Sequence, residues 1–328
     1  MKLFFRIILS ALLLFVISSV IFVAVLNWAG TKVVNAFLNL SVNAPAKVEK
    51  FETNWLLTEM VVENLQIYNP EGFPKGKLLE VEKLWVNLFP LYTFFKPYTE
   101  IEIQNGHLNF IRREDNATNV AVAFKIPYEK AKVKPLTFEV EKLNAKLYVE
   151  PLEKNINYTA KGIFKGLGNN AKFEIKGYGN FGSKETVTDF TVYNWNIRNN
   201  PVLSTLAEIL NEPKLKELTL SKIEGKIETK GDWIIFPERD TKAFVINDVL
   251  FAIIHKGSKY NLKTKEINAT ITLYSPLKVT VKVSGTSESP EVEILNLKSR
   301  EIEEKIKTLG EKVFQNLLNK VLSTPSTQ

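Results

Sequence analysis

The chain has no cysteine. Disulfides, thiolate metal sites, thiol nucleophiles and lipid attachment to a thiol are thereby excluded. A domain without disulfides must be held by its own apolar core, and a chain of this length can build one. Histidine is almost as scarce. His107 and His255 each sit in an alternating pattern, with no second histidine at ligand spacing. The phosphate-loop pattern G-x-x-x-x-G-K-[ST] and the nucleophile elbow G-x-S-x-G are both missing. "GYGNFG" (177–182) does match G-x-G-x-x-G. Phosphate binding needs a helix directly after such a loop, whereas "SKETVTDFTVYNW" alternates like a strand, so these glycines read as a strand end and hairpin. Acidic residues lie beside lysines on polar strand faces. No catalytic residue, metal or cofactor is expected, and the sequence reads as that of a non-enzyme.

Long apolar runs are also rare. Ile7–Leu26 carries no charge and is broken only by Ser10, Ser18 and Ser19. Twenty residues at about 1.5 Å each cover roughly 30 Å, the thickness of a bilayer core. Lys2 and Arg6 precede the run and Trp28 follows it, which predicts a cytoplasmic N-terminus with the remainder outside. A cleaved signal peptide is the other reading. Its core would span only about 7–15 residues, and a clean small-x-small site would follow. The longer core favours an uncleaved single-pass anchor. The net charge of +7 suits either an anionic surface or a solvated Lys/Glu surface. The interspersion of Lys with Glu favours the latter, and no nucleic-acid partner is expected.

What is present is alternation. Phe138 and Val140, then Leu143, Ala145, Leu147 and Val149, alternate with polar residues. So do Phe173 and Ile175, and Val279, Val281 and Val283. Period two with one polar face predicts antiparallel, half-buried strands. The phase slips inside several runs. In "LLEVEKLWVNL" (78–88), Leu79 and Val81 give way to Leu84, Val86 and Leu88. In "EIEIQNGHLNFI" (100–111), Ile101 and Ile103 give way to Leu108 and Phe110. Keeping one face buried across a slip needs a bulge, so the sheet should be strongly curved. The slipped unit "LEVEKLWVNL" (79–88) is echoed by "FEVEKLNAKL" (138–147) and loosely by "LTLSKIEGKI" (218–227), at irregular spacing.

Short helices are predicted over Thr31–Leu40, Pro90–Lys96 and Pro201–Leu210. A C-terminal amphipathic helix over 299–322 carries one stripe, from Ile302 and Ile306 to Leu317 and Val321, after Ser299 as N-cap. It would lie on a membrane or partner, or plug the sheet's apolar face. The tail 323–328 should be disordered. "LQIYNPEGFP" (65–74) ends a strand, because Pro70 and Pro74 remove donors and Gly72 permits φ > 0. The predicted organisation is an anchor (1–29), a first β module (30–120) and a continuing antiparallel sheet (121–298). The fold class is mainly β: a transmembrane helix, then an elongated curved antiparallel sheet, a half-pipe or β-groove, with a few short helices.

The order of these features resembles the AsmA family of Gram-negative envelope proteins, most strongly across about 1–120. The resemblance rests on the anchor, then "LQIYNPEGFP", "LLEVEKLWVNLFPLYTFF" and "EIEIQNGHLNFIRREDNATNV" ending near Asn119. "VSGTSESPEVEI" (283–294) before the last helix is similar to the family's C-terminal portion. Asp115-Asn116-Ala117-Thr118 departs from the Asp-Gly that often precedes the family's asparagine. The resemblance implies an inner-membrane-anchored periplasmic protein whose curved sheet forms an apolar groove for phospholipid acyl chains, supporting outer-membrane assembly or integrity. On that reading the groove would be lined by Leu84, Val86, Leu88, Leu108, Phe110, Phe138, Val140, Leu143, Leu147, Phe173, Ile175, Ile227, Ile271, Val279 and Val281. Strands spaced about 4.8 Å apart would give a groove of roughly 65–75 Å, short of a periplasm's width, so transfer would need an envelope protein partner or an oligomer. The alternative is a structural or assembly factor with a closed core, acting through protein contacts.

Overall fold

The computed structural model describes residues 2–54, 58–88, 97–198, 200–209, 212–237, 239–245, 248–274, 278–287 and 289–295. The helices predicted over Pro90–Lys96 and 299–322, and the tail, lie outside these residues. The protein is mainly antiparallel sheet with an N-terminal apolar helix and a few short helices, as the alternation predicts. It divides into two compact units, Met1–Thr188 and Asp189–Gln328.

The first unit begins with α1 (Lys2–Ser41), 40 residues of uninterrupted helix. At about 1.5 Å per residue it is roughly 60 Å long, and it is long and apolar enough to cross a membrane. The sequence suggests a separate helix from Thr31, but no proline interrupts the chain there. Gly30 stays helical and lets Phe51 approach: a Cβ at this position would stand 2.7 Å from Phe51 Cδ1.

From Asn27 onward α1 is bound to β1 (Ala46–Lys47) and β2 (Lys50–Thr53). Asn27 accepts from the Thr53 N–H at 2.8 Å and donates to the Thr53 carbonyl at 3.1 Å. Asn35 does the same with Val48, at 2.6 and 2.9 Å. Asn39 does so with Ala46, at 3.0 Å in both directions. Thr31 Oγ1 accepts from the Phe51 N–H at 3.1 Å. A carboxamide offers a donor and an acceptor side by side. This helix face therefore takes the place of a neighbouring strand and satisfies the outer edge of β1 and β2.

β1 and β2 both pair with β3 (Glu59–Tyr68). β4 (Lys77–Leu88), β5 (Thr99–Arg112), β6 (Leu136–Glu150), β7 (Asn155–Gly166) and β8 (Asn169–Asn180) then pair in chain order, all antiparallel. Residue 120, the expected end of the first module, falls in the short helix α2 (Asn119–Ala123), and the sheet continues from β5 into β6. The division between the units falls inside β9 (Glu185–Arg198). Residues 177–182 end β8 and turn into β9, and Gly177 is needed there because a Cβ would come within 2.5 Å of the Val187 carbonyl oxygen.

The phase slips are bulges. Asn64 in β3, Asn105 in β5 and Lys142 in β6 have φ of 53°, 50° and 50°. Pairing skips them, stepping from Glu63↔Lys83 to Leu65↔Val81 and from Ile103↔Ala145 to Gly106↔Leu143. Across β3–β4 and β4–β5 both strands skip one residue and the register is kept, whereas β6 carries one extra residue against β7. A residue left out of the pairing lets the apolar positions on either side share one face. Asn64 donates to Glu49 and Asn105 to Glu82, each at 2.7 Å. Both echoed copies bend at the same Glu-Lys pair, Glu82-Lys83 and Glu141-Lys142.

In the second unit β10 (Glu217–Lys230) pairs at one end with β12 (Thr241–Val245) and at the other with β11 (Trp233–Ile235). β13 (Val249–Ile254), β15 (Ile267–Leu273), β16 (Val279–Gly285) and β17 (Pro290–Ile294) extend the antiparallel sheet from β12. The short β14 (Lys259–Asn261) joins β11 to β15. α3 (Pro201–Ile209) forms where helical spacing predicts it. Its Leu206 and Ala207 share one core with Leu220, Phe251, Leu273, Val279, Val281 and Val283.

Candidate functional site

Directly opposed residues of antiparallel strands point to the same face. The register therefore assembles the apolar side of the first unit without further assumption. One row runs Val62, Leu84, Ile103, Ala145, Ala160, Ile175 across β3 to β8. A second runs Val86, Ile101, Leu147, Tyr158, Gly177. A third, beyond the bulges, runs Leu79, Leu108, Val140, Phe164, Ala171. Phe110 opposes Phe138, and their rings stack at 4.6 Å. Phe138 also meets Phe164 at 5.2 Å. Leu143 opposes Gly106, Phe173 opposes Gly162, and Leu88 opposes Thr99.

Eleven of the sequence-derived candidates thus meet on one face: Leu84, Val86, Leu88, Leu108, Phe110, Phe138, Val140, Leu143, Leu147, Phe173 and Ile175. Ile101, Ile103, Ala160 and Phe164 join them. The alternation of β7 that would have named the last two was legible, "NINYTAKGIFKG", but small residues dilute it.

The face is covered unevenly. Val34 and Leu38 of α1 and Val42 just after it, with Val120 and Ala123 of α2, pack on Leu65, Ile67, Leu79, Val81 and their neighbours at the β1–β4 side. Toward β6–β8, Phe138, Val140, Leu147, Phe164, Phe173 and Ile175 stay half-buried. The remaining candidates belong to the second unit. Val279 and Val281 are fully buried in the core shared with α3, and Ile271 packs against it. No ligand can reach the two valines in that core. Ile227 is half-buried in β10.

The opposite face of the first unit is ionic. Lys146 pairs with Glu102 at 2.9 Å and Lys165 with Glu141 at 2.7 Å. These lysines hold both carboxyls below the ordinary carboxylate range. Such exposed pairs add little stability, because water screens them. A shallow depression of about 330 Å³ lies among Glu102, Asn144, Lys146, Thr159, Lys161 and Glu174, residues of this polar face and its backbone floor. Its charges are already paired or solvated, and no nucleophile and base converge there.

His107 lies in β5 opposite Glu80. His255 Nε2 bonds Thr272 Oγ1 at 2.7 Å and Nδ1 stands 3.7 Å from Asp240. Among the described residues no three His, Cys, Asp or Glu side chains are grouped to hold a metal ion. The chemistry this site offers is apolar contact, on a surface joined to a helix of membrane-spanning length. No protein-family model, curated protein or solved structure matches the chain.

Proposed function

We propose that the protein is a membrane-anchored, AsmA-like phospholipid handler of the Gram-negative inner membrane, with its sheet in the periplasm, and that acyl chains lie against the apolar face of β4–β8. One observation carries the reading: rows of Leu, Ile, Val and Phe in register across five strands remain half-exposed toward β6–β8. Contiguous apolar surface of this kind marks a binding surface. Each methylene buried there contributes about 0.8 kcal/mol.

The anchor supports the same reading. Asn27 follows the apolar run by one residue and holds Thr53. Thr53 is level with Met60, Val86, Ile101 and Leu147 across the sheet. On this reading that end of the apolar face lies nearest the membrane, and an acyl chain leaving the bilayer would meet it first. The second unit, whose sheet shares a closed core with α3, favours a structural role for that half.

The test is mass spectrometry of the full chain purified in mild detergent. Co-purified phospholipid, and uptake of a fluorescent phospholipid from vesicles, are expected. A folded protein that carries none and takes up none overturns the reading.

A further inference from the structure

Asn27, Thr31, Asn35 and Asn39 form a ladder of bonds to β1 and β2 on one side of α1, and the opposite side carries exposed apolar residues. Phe22, Leu26, Ala29, Val33, Ala36 and Leu40 follow each other at alternating steps of four and three. That is the a/d spacing of a two-stranded coiled coil. The same spacing continues in the sequence through Ser19, Phe15, Leu12 and Ile8. From Val33 onward the seam is exposed: Val33 is 58% exposed, Leu40 79%, and the flanking Phe37 66%.

We propose that this seam pairs with α1 of a second copy of the chain, as a parallel coiled coil that starts in the bilayer and continues beside the sheet. A membrane imposes the geometry. Two copies inserted in one direction present the same seam at the same depth, so the contact is self-complementary under a two-fold axis. Ala29 and Ala36 let the backbones approach, as small residues do between membrane helices. Charge fits as well. Lys32 is the only charged residue from Ile7 to Leu40. It occupies a g position, and the e position it meets across a parallel pair, five residues on, is Phe37. Each lysine therefore lies over the partner's aromatic ring, a favourable contact, and not against another lysine. The sheet is held on the other side of the helix, by Asn27, Thr31, Asn35 and Asn39. The inference rests on α1 crossing a membrane and is independent of lipid on the sheet.

The absence of cysteine makes a direct test simple. Single substitutions Val33→Cys, Ala36→Cys and Leu40→Cys are made in the full chain, with Trp28→Cys as control. Trp28 is 83% exposed but lies off the seam. After mild oxidation in native membranes, the seam variants should give a disulfide-linked dimer at least tenfold more abundant than the control. Equal crosslinking at Trp28→Cys, or seam thiols that react with a water-soluble maleimide yet form no dimer, overturns the pairing. So does an adduct whose mass is that of a different protein.

Discussion

Asn119 Nδ2 donates to Asn69 Oδ1 at 2.9 Å, joining residues 50 apart in the chain. Asn119 is fully buried and uses its whole carboxamide. Nδ2 also donates to the Asn109 carbonyl at 2.7 Å, and Oδ1 accepts from the Ile111 and Val120 N–H groups at 3.0 Å. Asn69 holds the Pro74 carbonyl with its own Nδ2, at 2.9 Å. Arg113 bonds the Gly72 carbonyl at 3.2 Å and stacks over Phe73 at 5.1 Å. The turn "NPEGFP" is thus more than a strand stop. It is the socket in which the end of β5 and the start of α2 are fixed.

Asn119→Ala removes four bonds at once and leaves buried partners unsatisfied, each costing about 1–3 kcal/mol. Relaxation recovers part of this, and a loss of about 3–4 kcal/mol is expected in denaturant unfolding of the full chain. Asn69→Ala should cost less, about 1–2 kcal/mol, because Asn69 is half-buried and water can replace it. Equal and small losses for both would mean that the socket does not hold the turn.

The bulges rest on backbone conformation more than on side-chain chemistry. Asn105 sits at φ 50° within a strand. A β-branched residue resists that conformation, and left-handed backbone costs about 1–2 kcal/mol for an ordinary side chain. Asn105→Val should therefore lower stability by about 2 kcal/mol, with the bond to Glu82 lost as well. Asn105→Gly should lie within about 0.5 kcal/mol of the parent, since glycine adopts positive φ freely. Chemical denaturation of the pair decides the matter. A glycine variant as damaged as the valine one would assign the effect to the Glu82 bond instead.

The alternation and its slips were legible because a strand's period is a local property. "LLEVEKLWVNL" announces its bend by moving apolar residues from odd to even positions, and Glu82 is where pairing skips. The ladder was harder to read. Asn27, Asn35 and Asn39 look like polar interruptions of a helix until strands β1 and β2 are laid beside them. The repeat of four was its only signal. The fate of the apolar faces was not legible at all. Val140 and Val281 alternate in the same way, yet one lies half-exposed and the other shares a core with Leu206 of α3. Period two tells which face is apolar, not what rests on it.

The ladder makes its own prediction. Asn35 satisfies both backbone groups of Val48, which is 1% exposed. Asn35→Ala leaves a buried N–H and C=O without partners, at about 2–3 kcal/mol. Asn35→Asp keeps the acceptor but sets a carboxylate against the Val48 carbonyl, and should fare no better. Hydrogen exchange of the peptide containing Val48 reads the outcome directly. Protection should fall at least tenfold in both variants, and unchanged protection would mean that water or another group serves this edge.

The turn after β5 contains a pH-dependent contact. The Arg113 guanidinium, 2.5 Å from Asp115 Oδ2, holds the Asp115 carboxyl at about 2 instead of 3.8, helped by the Ala117 N–H at 3.2 Å. A carboxyl whose pKa is lowered by folding stabilises the folded state above its unfolded value. That contribution is lost as the pH falls through the folded value. The difference in stability between the parent and Asp115→Asn should be constant above about pH 4, shrink between about pH 4 and 2, and vanish below. Paired denaturation curves across that range test it. A difference that grows on acidification would contradict the sign.

Two substitutions separate an open apolar face from a closed one. Ile175 ends an apolar row and is half-buried, whereas Val281 has no exposure. Ile175→Asp forfeits only part of a side chain's burial, about 1–2 kcal/mol, because the carboxylate can reach water. Val281→Asp forces a charge into an apolar core and should exceed about 4 kcal/mol, enough to unfold the second unit. The functional readout runs the other way. On the lipid-binding reading, Ile175→Asp stays folded but removes contact with about two methylenes, which corresponds to roughly tenfold weaker phospholipid binding. Circular dichroism gives the fold and vesicle-transfer fluorescence gives the binding. An Ile175→Asp protein that is folded and binds phospholipid as tightly as the parent would remove the β8 end of this face from the lipid path.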